Sequence, residues 1–294
     1  TQPLTRLTTS AIGLVLATVG HVGGWPLVEG GSQRLAEALA SYFTSLGGTI
    51  RTGWWVRSLS ELPSARVVLL DVTPRQALEM AGPAFSALYR RQLHRFRYGA
   101  GVFKIDWALS DSVPFRSEEA RKAGTVHLGG TFAEVARAEA EVSQGDHAER
   151  PFVLFSQPSR SDPSRCPPGR HIAWGYCHVP AGSTLDQTEA IERQIERFAP
   201  GFRDTILARR VWSCADFESY NPNYIGGDIS GGAIDLWQLF NRPALRLSPY
   251  RTSAKGIYLC SSSTPPGGGV HGMCGYHAAR QVLRDLFPER RKRE

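Results

Sequence analysis

The residues with the most chemical content lie near the end of the chain, where Gly267-Gly268-Gly269-Val270-His271-Gly272 satisfies G-x-G-x-x-G. The run follows a short apolar segment, Gly256-Ile257-Tyr258-Leu259-Cys260, and leads into a helical pattern through Ala278, Val282 and Leu286. That is the local setting of a dinucleotide-binding turn. Such a turn also needs a second strand and an acidic residue about twenty residues further on. Here the helix runs into Phe287-Pro288 and the sequence stops at Glu294, so the motif does not open a complete Rossmann unit. What remains is the physics of the turn itself. Glycines let backbone approach a ligand closely, and N–H groups at a helix N-terminus favour an anionic or electron-rich partner. A cofactor edge fits there, and a turn built only for its own geometry is the plainer alternative.

The other chemically capable residues are more scattered. His171 and His178 are seven apart, which puts them on opposite sides of a strand, and His271 and His277 flank a helix start without a third ligand nearby, so no metal site is expected. Asp106 and His127 fall on expected strands and could face a cavity, or serve structural roles. Trp25, Trp107, Trp174, Trp212 and Trp237 could line an apolar cavity or fill a core. No Ser, His and Asp arrangement, nucleophile elbow or P-loop is present, which speaks against hydrolase and kinase chemistry. No residue is singled out as catalytic.

The elements that must position these residues follow from periodicity. Gly30-Gly31-Ser32 leads into a helix with Leu35, Leu39, Tyr42, Phe43 and Leu46 at spacings of three and four, with Ser32 as N-cap and Gly47-Gly48 as its stop. Thr49 to Val56 is β-branched and aromatic and reads as a strand. Val67 to Val72, bounded by Thr73-Pro74, reads as a buried parallel strand. From about Gly82 the texture changes. Gly101–Ser110 and His171–Val179 alternate in the manner of half-buried antiparallel strands. Thr131-x-x-Glu134 is a capping box, and Asp186 opens a helix carrying Ile191, Ile195 and Phe198 before Pro200-Gly201. The expected fold class is α/β: a Rossmann-like domain in two parts, 1–81 and 252–294, interrupted by an α+β domain with an antiparallel or mixed sheet over 82–251.

Several of these runs carry a family resemblance. Gly30-Gly31, Ala215-Asp216-Phe217-Glu218 with Asn221-Pro222-Asn223, Gly226-Gly227-Asp228-Ile229, Phe240-Asn241-Arg242-Pro243 and the closing run Gly256 to Val270 together resemble the phytoene desaturase-type FAD-dependent oxidoreductases. The resemblance extends from about Gly23 to Phe287. It implies FAD as cofactor, with the backbone of Val56 at the adenine end and Ser263 and Thr264 near the pyrophosphate and ribityl region. It also implies Gly268, Gly269, Val270 and Met273 beside the isoalloxazine ring. Many relatives in the wider flavoprotein group carry an acid near the position of Thr264, so its hydroxyl implies a weaker or different contact. The implied reaction is hydride transfer to flavin from a hydrophobic or amine-like small molecule, with the protein supplying orientation and exclusion of water. The family's opening βαβ unit, with its own G-x-G-x-x-G turn and ribose-binding acid, has no counterpart here, so the chain is expected to be part of a longer flavoenzyme. The competing reading is a non-catalytic interaction or scaffold protein built on the same fold.

Composition narrows the classes further. With 294 residues, 41% apolar and 21% charged, the chain is globular and not intrinsically disordered. The net charge of +7 is spread along the sequence and concentrates only at Arg290-Arg291-Lys292-Arg293, read as a solvated tail, so nucleic acid is not an expected partner. Ala11 to Val22 is too short and too interrupted to span a bilayer, and five scattered cysteines without a C-x-x-C pair suggest reduced thiols. A cytoplasmic location is expected, with peripheral membrane contact left open.

Overall fold

The computed structural model describes residue 3 and residues 9–287. In chain order these form α1 (Thr9–Gly23), α2 (Ser32–Ser45), β1 (Val68–Leu70), α3 (Pro74–Ala81), α4 (Ala87–His94), β2 (Gly101–Leu109), α5 (Glu118–Lys122), β3 (Thr125–Leu128) and α6 (Phe132–Gln144). There follow β4 (Val153–Ser156), β5 (His171–Val179), α7 (Thr188–Phe198), β6 (Ile206–Trp212), α8 (Cys214–Tyr220), α9 (Leu236–Asn241), β7 (Ile257–Leu259) and α10 (Met273–Leu286). The expected α/β arrangement with an antiparallel sheet is the one observed. The Arg290-Arg291-Lys292-Arg293 tail lies outside the described residues. Two compact units are present: one comprises the described residues up to Trp54 with Val102–Ser213, the other Trp55–Gly101 with the residues from Cys214 onward.

The first unit is built on a five-stranded sheet of order β3-β4-β5-β2-β6, in which β2 runs antiparallel to β6, and β4 antiparallel to β3 and β5. One face is closed by α7, whose Ile191 and Ile195 are four residues apart and both fully buried. Against them pack Phe155, Phe202 and Trp107, with ring centroids 5.4 to 5.9 Å apart. The indole Nε1 of Trp107 donates to Glu192 Oε1 at 3.0 Å, so the large core ring leaves no unpaired donor. On β5 the buried residues are the small ones, Ala173, Gly175 and Cys177, together with Val179. A Cβ on Gly175 would stand 3.4 Å from the Trp107 ring, so the indole occupies the space a larger β5 side chain would need. Helix α6 begins with the expected capping box: Thr131 N donates to Glu134 Oε2 at 2.8 Å and Glu134 N to Thr131 Oγ1 at 3.3 Å.

The second unit pairs β1 with β7 in parallel register, Val68 with Ile257 through Leu70 with Leu259. A cluster of Leu70, Ala77, Ala81, Phe85, Tyr89, Leu93, Ala244 and Leu259 packs beneath this pair. The parallel pairing matches expectation, although within β1 only Leu70 is buried and Leu69 is exposed.

Three local expectations are corrected. Thr49 to Val56 forms no strand. Its backbone is irregular and Arg51–Trp55 is exposed, because strand propensity is expressed only against a pairing neighbour and none lies beside it among the described residues. Ser32 is the first residue of α2 and Gly31, at φ 104°, is its cap; no side chain caps that end. Asp186 precedes α7 by two residues and accepts from Thr188 N at 2.7 Å, while Gln187 occupies the cap position.

Candidate functional site

Beyond β7 the chain closes two successive tight turns, with Thr264 N donating to Ser261 O at 2.8 Å and Gly267 N to Thr264 O at 2.9 Å. Ser263 and Thr264 are fully buried. The Ser263 hydroxyl donates to Gly231 O and the Thr264 hydroxyl to Ser261 O, each at 2.7 Å, so both protons are committed inside the loop. The buried Arg242 guanidinium completes the clamp. Its Nε donates to Ser263 O at 3.2 Å, and Nη2 donates to Ser262 O and Gly231 O at 3.0 Å each. Burial pulls the Arg242 pKa below its ordinary value, against the opposing field of Asp228. The Asp228 carboxylate is itself buried and accepts from Gly99 N, Ser230 N and Gly232 N at 2.7 to 2.9 Å. Cys274 Sγ closes the far side by donating toward Thr264 O at 3.5 Å and Gly267 O at 3.4 Å.

The turn held by this clamp demands its glycines. Gly267 and Gly269 have φ of 106° and 152°, where L side chains are strained, and a Cβ on Gly268 would come within 2.9 Å of Ser230 O. Val270 is 92% exposed and Met273 lies half-exposed at the start of α10. Met273 N donates to the His271 ring at 3.0 Å, which caps one N–H of the first turn. A Cβ built on Gly272 or Gly275 would meet nothing within 4 Å, so the surface over this helix start is open. Of the residues implied to touch flavin, Gly268, Gly269, Val270 and Met273 thus gather at one turn, Ser263 and Thr264 lie inside the loop that supports it, and the half-buried Val56 sits on irregular backbone elsewhere.

The first unit contributes a separate chemical surface, the face of its sheet opposite the α7 core. The register places His127, Leu154 and Tyr176 side by side, and likewise Lys104 opposite Trp212 and Asp106 opposite Arg210. The Trp174 and Tyr176 rings are nearly parallel, with centroids 6.3 Å apart and a 3° interplanar angle, and the Lys104 ammonium sits 5.7 Å from the Trp174 ring. Lys104 pairs with Asp106, which also accepts from Trp212 Nε1 at 2.9 Å. His178 Nδ1 and Glu139 Oε1 are 2.8 Å apart. Burial alone would raise the Glu139 carboxyl, but hydrogen bonding and positive charge, led by the His178 hydrogen bond, hold the group at about 2. Burial, then the Glu139 charge, pushes the Tyr176 phenol up, and burial lowers His127. Trp107 belongs to the core, whereas Trp25 and Trp237 are exposed.

Asp228, Arg242 and Cys274 had no signal of their own. Asp228 and Arg242 stood within motifs quoted for their family likeness, but nothing in a single sequence marks a charged side chain that will end up buried among backbone groups.

No family model matches the sequence. Rat (Rattus norvegicus) pyridine nucleotide-disulfide oxidoreductase domain-containing protein 2 is 29% identical over 305 residues, covering 91% of this chain and 52% of the relative. A lycopene-forming phytoene desaturase from Paracoccus sp. is 25% identical over 302 residues, covering 95% of this chain and 59% of the relative. The chain therefore spans about half the length of the curated relatives it matches. Among solved structures, an oxidoreductase from Methanosarcina mazei superposes with a TM-score of 0.56 at 15% identity, over 87% of this chain and 55% of that one, which establishes a shared fold.

Proposed function

We propose that this chain, a homologue of the phytoene desaturase-type FAD-dependent oxidoreductases, presents the glycine turn before α10 to the isoalloxazine end of FAD. The reaction it serves is hydride transfer from a hydrophobic or amine-like substrate. The observation that carries this reading is the turn: strained glycines and an exposed Val270 and Met273 at a helix start whose outer surface is open. Those features suit a flat, electron-rich ring. Gly268 and Gly269 allow close backbone approach, Val270 and Met273 offer apolar contact, and the helix N-terminus provides a positive electrostatic end. Ser263 and Thr264 act by shaping the loop and through their backbone, since their hydroxyl protons are already committed. Val56 serves the adenine end through its backbone. When bound, FAD supplies the hydride acceptor; the chain supplies orientation and exclusion of water.

The test is retention of flavin. Purified protein incubated with FAD and passed through a desalting column should carry the flavin's visible absorbance in the protein peak. Gly269→Leu, which forces a side chain into a φ of 152° and against the His271 ring, should lose it. Equal retention by that variant sinks the assignment of the turn. A wild-type protein that never retains flavin means that these residues do not hold the cofactor without the family's opening βαβ unit, and it removes the support that retention would give against the scaffold reading.

A further inference from the structure

At one end of the five-stranded sheet, the last residue of β2, the loop after β4 and the first residues of β5 enclose a cavity of about 220 Å³. It shares no residue with the glycine turn. Its floor is apolar, formed by the buried Leu109 and Val113 with the half-buried Ile172, and its rim carries Arg121, Arg160 and His171. No carboxylate lines it.

The neutral polar groups of the lining are already occupied. Gln157 Nε2 donates to Ala120 O at 2.8 Å and Ala123 O at 2.6 Å, Ser159 Oγ accepts from Ile172 N at 3.1 Å, and the Ser112 hydroxyl donates to Asp111 Oδ1 at 3.3 Å. Arg121 spends its Nε on Phe115 O. Its two terminal nitrogens, the whole Arg160 guanidinium and the His171 ring have no carboxylate in ion-pair range among the described residues. Two guanidinium groups and an imidazole around one concavity, without an acid to neutralise them, select for negative charge.

We propose that this cavity binds a small organic anion: a carboxylate carried on a short apolar body. The guanidinium fork matches a carboxylate in two parallel hydrogen bonds, and His171 stands beside it as a further donor. The floor of Leu109, Val113 and Ile172 offers hydrocarbon contact that a bare inorganic anion cannot use. The volume corresponds to roughly seven waters, which sets the ligand below drug size.

Calorimetric titration of the full chain with benzoate at constant ionic strength tests this, with chloride as reference and acetate as the small carboxylate. Benzoate should bind saturably at one site, and acetate at least about five-fold more weakly, as loss of the apolar contact requires. Arg160→Gln, at an exposed position, should weaken benzoate roughly three- to ten-fold, and Arg160→Gln with Arg121→Gln should abolish saturable binding while circular dichroism stays unchanged. Benzoate heats no different from chloride overturn the proposal. So does a benzoate isotherm unaltered in Arg160→Gln, which places the anion elsewhere. Acetate binding as tightly as benzoate refutes the role given to the floor.

Discussion

Tyr89 shows what enclosure does to a single polar atom. Its ring packs edge-on against Phe85 at 5.2 Å, the Arg246 guanidinium lies 5.4 Å from its centroid, and its hydroxyl is buried without a hydrogen-bond partner. Burial drives the phenol pKa far above its ordinary value. An unpaired buried hydroxyl costs folding free energy that a phenyl ring does not. Tyr89→Phe should therefore raise stability by about 1 kcal/mol, read as a higher urea midpoint at unchanged slope; a lower midpoint would mean that the hydroxyl has a partner in solution. Asp228 and Arg242 are the opposite case, buried charges whose hydrogen bonds are met by backbone N–H and C=O groups. All three residues were visible in the sequence by type, but their burial and partners were not, because these depend on how loops from different segments close on one another: Gly99 reaches Asp228 from 129 residues away, and Arg242 meets the Gly231, Ser262 and Ser263 carbonyls across two separate loops.

At the scale of elements, α10 is fastened at its C-terminal end by a network around Asp285. Arg251 Nε and Tyr258 OH donate to Asp285 Oδ2 at 2.8 Å each, and Gln281 Nε2 to Oδ1 at 2.8 Å. The Arg251 hydrogen bond, with those from Tyr258 and Gln281, holds the carboxyl at about 2 from an ordinary 3.8, while burial and the Asp285 charge push Tyr258 up to about 12 from 10.0. The signs follow from linkage. A depressed carboxyl contributes stability that is present above its unfolded value and lost as pH falls from about 4 toward 2. A raised phenol contributes stability present below 10 that is lost as pH climbs toward 12. Thermal midpoints measured across the acid window should fall more steeply for the wild type than for Asp285→Asn, and parallel slopes would remove Asp285 from the account. The periodicity of α10 and the capping box of α6 were legible because each is encoded within a few neighbouring residues. The strand expected over Thr49 to Val56 was not realised, since pairing belongs to a neighbour and not to the segment.

On the scale of the molecule, Leu14, Val15, Leu16, Val19 and Val22 of α1 and Leu35, Leu39, Tyr42 and Phe43 of α2 are exposed. The amphipathic pattern of α2 is intact, yet none of its residues is buried, and Leu39, Tyr42 and Leu46 are each about two-thirds exposed. A contiguous apolar stripe of that kind drives self-association in water. Replacing Leu39 and Tyr42 together by Glu should lower the scattering intensity at a given protein concentration without moving the thermal midpoint by more than a degree or two. Unchanged scattering would show that this stripe is not what associates. No helix among the described residues is long and apolar enough to cross a membrane.

The sequence by itself determined the amphipathic helices, the capping box of α6, the alternating strands β2 and β5, and the apolar run that became β1. All of these rest on short-range spacing, which the backbone's own periods of 3.6 and 2 convert directly into structure. Only the tertiary structure decided which face of β5 went inside. Alternation alone does not distinguish a face of Ile172, Trp174 and Tyr176 from one of Ala173, Gly175 and Cys177; the small face is buried because Trp107 already fills the space above it. The same holds for the loop before α10 and for the cationic cavity beside β5. Each brings together side chains from separate segments, and their meeting is settled by packing and by satisfying buried hydrogen-bond groups, which no local pattern encodes.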